Sequence, residues 1–443
     1  MHVTRDPVRL IPLLFAAAIM IGTLLLWNPL ATASGEQPPL MTAFFTATSA
    51  VAVTGLVVVD TGTYWSGFGQ VVILLMFQIG GFGIMAAATL LGIMAGRGFG
   101  LRDRLATQVE RGRLQFGDTG SVLRLILGIT ISVELLVAAV LVWRFATTYD
   151  FPLGEAVWHG LFHSVSAFNN AGFSTFSDSL MGFQTDAVVL VPIMLSVIIT
   201  ALGFPVMQEV RAKGFAFRKW TVHSKITVTA TGVLLAIGFL SLLAKEWHNP
   251  GTLGALEPGA KMLNAMFHSV MPRTAGFNSL DMAEMRGESI MLNYVLMFIG
   301  GGSAGTAGGI KITTFVVLLV IVWAEARRQR DAAIFGRRMG HPVERQALAI
   351  TMLAALLIMV ATMYILSVTN LPIRDVLFET ISAFSTVGLS TGITADLPRS
   401  SLFVLCVLMF VGRVGTITVA TALALGGAKQ RPYRYPEETP IVG

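Results

Sequence analysis

One short pattern occurs four times in this chain and limits its fold more than any other feature. The copies are Phe45-Thr-Ala-Thr-Ser-Ala-Val-Ala-Val-Thr-Gly-Leu56, Phe162-His-Ser-Val-Ser-Ala-Phe-Asn-Asn-Ala-Gly-Phe173, Phe267-His-Ser-Val-Met-Pro-Arg-Thr-Ala-Gly-Phe277 and Phe378-Glu-Thr-Ile-Ser-Ala-Phe-Ser-Thr-Val-Gly-Leu389. In the first, second and fourth, Phe lies ten residues before the Gly and Ser-Ala six and five before it; the third is one residue shorter. The glycines at 55, 172, 276 and 388 are spaced by 117, 104 and 112 residues. A repeat of near-constant period describes the whole architecture, because each unit is one supersecondary element packed on its neighbours.

Composition says what surrounds the units. The chain is 54% hydrophobic and only 13% charged, with mean hydropathy +0.71, whereas soluble domains carry about 25% charged residues. This reads as an all-α integral membrane protein. Apolar runs long enough to cross a bilayer fall at about 10–30, 69–95, 122–145, 187–210, 226–244, 290–322, 347–368 and 401–425. The eight runs flank the four patterns in pairs. Between the members of a pair, the roughly ten residues before each Gly make a helix of about 15 Å, half of what a bilayer core requires. Such a segment enters and turns back, which is tolerated where protein or a water path surrounds it. The expected organisation is helix, pore loop, helix, four times: repeats at 1–120, 121–220, 221–345 (its second helix broken) and 346–428, then a cytoplasmic tail, 429–443. The first span follows Arg5 and Arg9 without a clear cleavage site and reads as uncleaved. The single cysteine, Cys406, excludes an internal disulfide.

Charge sets orientation. Of the 31 basic residues, 22 lie in the inter-repeat segments and termini, six near the short runs, and three (Arg273, Lys311 and Arg413) within the membrane part. The bias of Lys and Arg toward the cytoplasm puts both termini inside and makes the short runs dip in from outside. Fourteen of the 25 acidic residues lie on or next to that outer face, which would concentrate cations there. The basic segments 97–121 and 327–345 are expected to form surface helices or docking surfaces for a cytosolic partner.

The chemistry of the repeats is that of backbone. Gly permits the turn after each short helix, and the carbonyls of Val53-Thr54, Asn170-Ala171, Thr274-Ala275 and Thr386-Val387, with Gly55, Gly172, Gly276 and Gly388, could face one axis and replace an ion's water shell. A second feature is the run Gly300, Gly301, Gly302, Ser303, Ala304, Gly305, Thr306, Ala307, Gly308, Gly309, followed by Ile310 and Lys311. Six glycines break the span 290–322 and leave unwound backbone at membrane depth. It is no phosphate loop, since Ile312 follows Lys311 where Ser or Thr belongs. Third, Arg413 sits within the last span, where an unpaired guanidinium is costly and so marks function. An ion pair with Glu134 is its structural alternative. His163 and His268, matched in copies two and three, read as polar contacts at the outer ends of the short helices.

These residues resemble a known family. Val53-Thr-Gly55-Leu, Asn169-Asn-Ala-Gly172-Phe, Arg273-Thr-Ala-Gly276-Phe-Asn278 and Thr386-Val-Gly388-Leu-Ser390 are similar to the four filter segments of the TrkH/KtrB superfamily of potassium transporters, over nearly the whole chain. The KtrB branch is the better match, since the first repeat begins without the extra helix pair of the TrkH branch. The resemblance implies eight spanning helices and four pore segments around one pore. It implies potassium as the transported ion, sodium as a candidate activator, and no organic cofactor. It further implies a homodimer in the plasma membrane whose tail supports the dimer interface, and a cytosolic KtrA-type nucleotide-binding ring that controls the pore. In that family the loop at 300–309 is the gate beneath the filter, with Lys311 nearby, and Arg413 raises the barrier to cations. Nothing suggests nucleic-acid binding or catalysis. An alternating-access transporter, a membrane enzyme and a non-transporting scaffold remain the other classes, separable by ion-flux measurement.

Overall fold

The computed structural model describes residues 7–97, 119–329 and 331–415. Four times over, a long helix is followed by a short helix and a further helix. The first set is α1 (Pro7–Leu26), α2 (Leu40–Val51) and α3 (Gly67–Arg97). The second is α4 (Thr119–Thr148), α5 (Leu153–Asn169), α6 (Ala187–Leu202) and its continuation α7 (Phe204–Lys213). The third is α8 (Val222–Glu246), α9 (Pro258–Val270), α10 (Gly287–Phe298) and α11 (Ile312–Ala326). The fourth is α12 (His341–Val368), α13 (Ile373–Ser385) and α14 (Arg399–Phe410), which runs on through a π-helical turn, Val411–Gly415.

Proline marks where each short helix starts. Pro39, Pro152 and Pro372 are the residues before α2, α5 and α13, and Pro258 is the first residue of α9. A first helical turn tolerates proline because its N–H would be unbonded anyway. Within each set the long helix packs on the short one and on the helix that follows. Between sets the pattern is cyclic: α3 packs on α5, α6 on α9, α10 on α13, and α14 closes on α2. The repeat Phe residues Phe45, Phe162, Phe267 and Phe378 are all fully buried. Large apolar side chains also face outward, among them Leu24 on α1, Leu136 on α4, Leu240 on α8 and Met363 on α12, the surface expected where the solvent is lipid.

Among the described residues three helices are individually long and apolar enough to cross a membrane: Arg124–Thr148, Val222–Glu246 and His341–Val368. The run expected as one span at 187–210 is instead bent by 92° between α6 and α7. Gly203 makes the break at φ +86°, and Pro205 starts the next helix without an N–H to give the previous one. The expected span 10–30 stops at Leu26, ahead of a short turn over Pro29–Ala31. The segment expected as a surface helix at 327–345 contains a two-stranded hairpin, Ala333–Ile334 with Arg337–Arg338. Phe335 and Gly336 both take positive φ, 51° and 73°, which a two-residue hairpin turn of this hand needs. The segment 98–118, the rest of the last span beyond 415, and the tail 429–443 lie outside the described residues.

Candidate functional site

In each copy the residue two positions before the Gly is left-handed: Val53 (φ 56°), Asn170 (58°), Thr274 (81°) and Thr386 (49°). In three copies the ending is the same double hydrogen bond. Val53 N–H donates to Ala50 O and Thr54 N–H to Ser49 O; Asn170 and Ala171 do so to Ala167 and Ser166, and Thr386 and Val387 to Ala383 and Ser382. This is the Schellman closure, which satisfies carbonyls at a helix end while turning the chain out. The shorter third copy differs: Ala275 and Gly276 both donate to Met271 O. The four glycines then adopt φ of 93°, 69°, 69° and 94° in chain order.

The repeated Ser has a task that its spacing alone did not disclose. Ser49 Oγ accepts the Gly55 N–H at 3.1 Å, and Ser382 Oγ accepts the Gly388 N–H at 3.1 Å. Ser166 Oγ donates to Phe173 O at 2.8 Å. Each serine reaches forward six or seven residues and ties the turn to its own helix.

The four turns meet edge to edge. A Cβ built on Gly55 would stand 3.2 Å from the Cα of Gly172; one on Gly172, 3.0 Å from the Cα of Gly276; one on Gly276, 3.1 Å from that of Gly388; and one on Gly388, 3.0 Å from that of Gly55. The ring closes in chain order. Each such Cβ would also run into the carbonyl oxygen before the next glycine: Ala171, Ala275, Val387 and Thr54. Glycine is therefore needed twice at each site, for its φ and for close approach of a neighbouring backbone. The hydroxyls of Thr54, Ser385 and Thr386 at the helix ends are buried and have no hydrogen-bond partner among the described residues.

The glycine-rich run is unwound from Ile299 to Lys311, between α10 and α11. Its ends are tied by Gly300 N–H to Ile310 O at 2.8 Å and Ile312 N–H to Gly301 O at 3.0 Å. It packs on the fourth turn: a Cβ on Gly308 would collide with Thr386 Oγ1 and stand 2.8 Å from Ser385 O. It also fills the break in the second set. Gly302 N–H donates to Ala201 O at 2.7 Å, and Phe204 N–H donates to Ala304 O at 3.2 Å. The two backbone groups freed at the Gly203 bend are thus satisfied by the loop.

Three basic side chains hold loop carbonyls. Arg273 Nη2 donates to Gly300 O at 3.2 Å, Lys311 Nζ to Ala307 O at 2.5 Å, and Arg413 Nη1 to Thr306 O. Arg413 reaches that position because the π turn carries it inward and Gly412 lies against Phe384 O. Among the described residues none of the three forms an ion pair. The alternative pairing of Arg413 with Glu134 is not formed: Glu134 Oε1 has no partner. Arg273, counted in the membrane part from the sequence but given no role, belongs to this group. His163 and His268 are fully buried and lie in the C-terminal halves of α5 and α9 rather than at their starts; His163 makes polar contacts with His159 O and Ser174 Oγ.

The family model for TrkH, a cation transport protein, matches residues 13–428. A Ktr system potassium uptake protein B from Bacillus subtilis is 38% identical over 99% of this chain and 97% of its own length. The potassium/sodium uptake protein NtpJ from Enterococcus hirae is 35% identical over 99% of this chain and 97% of its own. The crystal structure of the potassium transporter TrkH from Vibrio parahaemolyticus superposes with a TM-score of 0.73 at 19% identity, covering 97% of this chain and 85% of that one.

Proposed function

This chain belongs to the TrkH family of cation transport proteins, and from that premise we propose that it carries potassium into the cell through the ring of Gly55, Gly172, Gly276 and Gly388. The closed contact of four positive-φ turns, each glycine against the carbonyl that precedes the next, carries the reading. Backbone oxygens from Val53-Thr54, Asn170-Ala171, Thr274-Ala275 and Thr386-Val387 replace the ion's water shell. Because the oxygens belong to the backbone, the side chains differ among copies while the glycines do not. The unpartnered hydroxyls of Thr54, Ser385 and Thr386 supply further polar contacts at the inner edge.

The loop 300–309 is the gate. Its contact with Thr386 and its bonds to Arg273, Lys311 and Arg413 support this role. Two of those charges, Lys311 and Arg413, also raise the barrier for a cation below the ring. The chain sits in the plasma membrane with eight spans, four re-entrant segments and both termini in the cytoplasm, and works as a homodimer. A cytosolic KtrA-type nucleotide-binding ring controls the loop; the Ktr system names of relatives support a system of several components. Sodium is the candidate activator, in keeping with the potassium/sodium name of the Enterococcus relative.

Purified chain in proteoliposomes tests this directly. Potassium-gradient flux well above that of empty vesicles, and above sodium flux at equal concentration, is expected. No flux with or without added nucleotide-binding partner would overturn the proposal.

A further inference from the structure

Behind the ring, one position of the repeat carries a different polar residue in each copy. The residue after the repeat Phe is Thr46, His163, His268 or Glu379, and all four are buried. Two residues after each Gly stand Val57, Ser174, Asn278 and Ser390.

In the fourth copy the two are joined. Glu379 Oε1 accepts from the Ser390 hydroxyl and from Thr391 N–H at 3.3 Å, and Oε2 accepts from the Thr394 hydroxyl at 3.0 Å. Gly392 N–H donates to Ser390 Oγ at 2.8 Å, extending the tie around the outer turn. In the second copy a neutral pair does the same. His163 Nδ1 donates to His159 O at 2.7 Å, and Nε2 pairs with Ser174 Oγ at 2.9 Å. The other two copies have no such link. Thr46 Oγ1 has no partner opposite Val57, and both His268 nitrogens are unpartnered while the Asn278 amide turns to Leu280 O.

The ring order puts copies two and four across from each other. We infer that Glu379 and His163 are positioning residues that hold two opposite outer limbs of the ring, with Glu379 the stronger, so that discrimination between potassium and smaller cations depends on these two diagonal braces. A ring of carbonyls that must fit an ion discriminates only while its limbs resist closing around a smaller one. A side chain that takes three hydrogen bonds from its limb, as Glu379 does, resists more than one that makes a single bond to it, as His163 does. No such tie from the short helix reaches the limbs of copies one and three; copy three's limb is bonded instead to the outer segment of copy two, Asn278 N–H donating to Ser179 Oγ at 3.3 Å and Leu180 N–H to Asn278 O at 3.0 Å. The inference rests on the proposed filter.

Glu379→Ala, Glu379→Gln, Ser390→Ala and the double variant Glu379→Ala/Ser390→Ala are compared in proteoliposomes for the ratio of potassium to sodium flux. Folding is followed by elution and detergent-solubilised Tm. Glu379→Ala is expected to lower the ratio about tenfold, equivalent to about 1.4 kcal/mol. Glu379→Gln, whose amide oxygen still accepts, keeps most of it. Ser390→Ala falls in between, and the double variant is no worse than Glu379→Ala. Thr46→Val, at the same position of an unbraced copy, leaves the ratio unchanged. Should Glu379→Ala fail to fold, Ser390→Ala and His163→Gln carry the test alone, each predicted to lower the ratio. If these variants keep the full ratio while Gly388→Ser loses it, the bracing inference is wrong and the filter stands. If Gly388→Ser also keeps it, the filter reading itself is wrong.

Discussion

Arg413 and Thr306 are separated by 107 residues of sequence, and the guanidinium of the first donates to the backbone carbonyl of the second. Among the described residues the buried Arg413 side chain thus bonds a peptide group in an unwound loop and no acid. That arrangement leaves the guanidinium without an acidic partner among the described residues, as the proposed roles of latch on the loop and barrier to a passing cation require.

Removing that charge should raise flux. A guanidinium stays protonated in proteins, and at about 6 Å with an effective dielectric near 20 it repels a monovalent cation by roughly 3 kcal/mol, about a hundredfold in rate if fully expressed at the barrier. Arg413→Gln is expected to increase maximal potassium flux per folded transporter, and Arg413→Lys to change it less. Adding Glu134→Gln to Arg413→Gln should alter nothing further, since the two side chains are not paired.

Glycine replacement in the ring should cost selectivity before it costs folding. At Gly388 a side chain meets the neighbouring carbonyl of Thr54 and a φ of 94°. At Gly172 the nearest oxygen is farther, 2.7 Å from the Cβ position, and φ is 69°. Gly388→Ser and Gly388→Ala are expected to reduce the potassium-to-sodium flux ratio more than the same changes at Gly172. Equal ratios in all four variants would count against a shared coordination site.

Shortening the loop should open the path. Deleting 304–307 removes the carbonyls held by Arg413 and Lys311, together with the Ala304 bond to Phe204. Flux in the absence of a cytosolic partner is expected to rise several-fold and to lose most of its dependence on that partner. An unchanged rate in well-folded protein would show that the loop is not the barrier.

The bend at Gly203 should report on the same gate from the other side. A Cβ there would collide with Ser303 O, at a φ of +86° that β-carbon residues rarely adopt. Gly203→Ala is expected to lift the loop and reproduce part of the deletion phenotype, with a loss of stability of about 1–3 kcal/mol from backbone strain. A lowered Tm with flux unchanged would separate the bend from the gate.

Much of this was legible in the residues, and the rest was hidden for definite reasons. The four ring glycines appear in the sequence because only Gly serves at positive φ beside another backbone, and the six-glycine break because its glycines lie against neighbouring chain, with Gly309 alone among them at positive φ. The bend at Gly203 was masked by an apolar run that continues across it, although Gly203 and Pro205 were the available signal. Ser49, Ser166 and Ser382 were visible as a repeat, but a six-residue reach across a helix end has no periodicity to betray it. Arg273 read as a stray charge because its partner, Gly300 O, is a backbone atom 27 residues away. Glu379 gives no signal in the sequence, because its outward partners at 390–394 are brought near only by the turn between. The hairpin at Phe335-Gly336 escaped because Phe is a poor signal for positive φ.

The cyclic packing of the helices also bears on how the protein is made. The contact that completes the ring runs from Gly388 back to Thr54 O, a separation of 388 − 54 = 334 residues, and α14 is the helix that seals it against α2. Chains emerge from the ribosome N-terminus first, so three-quarters of the ring waits with one open side until the last helices arrive. During that interval the face of α2 destined for α14 and the carbonyl of Thr54 lie uncovered. A chain truncated before Arg399 therefore keeps all four turns yet leaves bare the face of α2 that α14 covers.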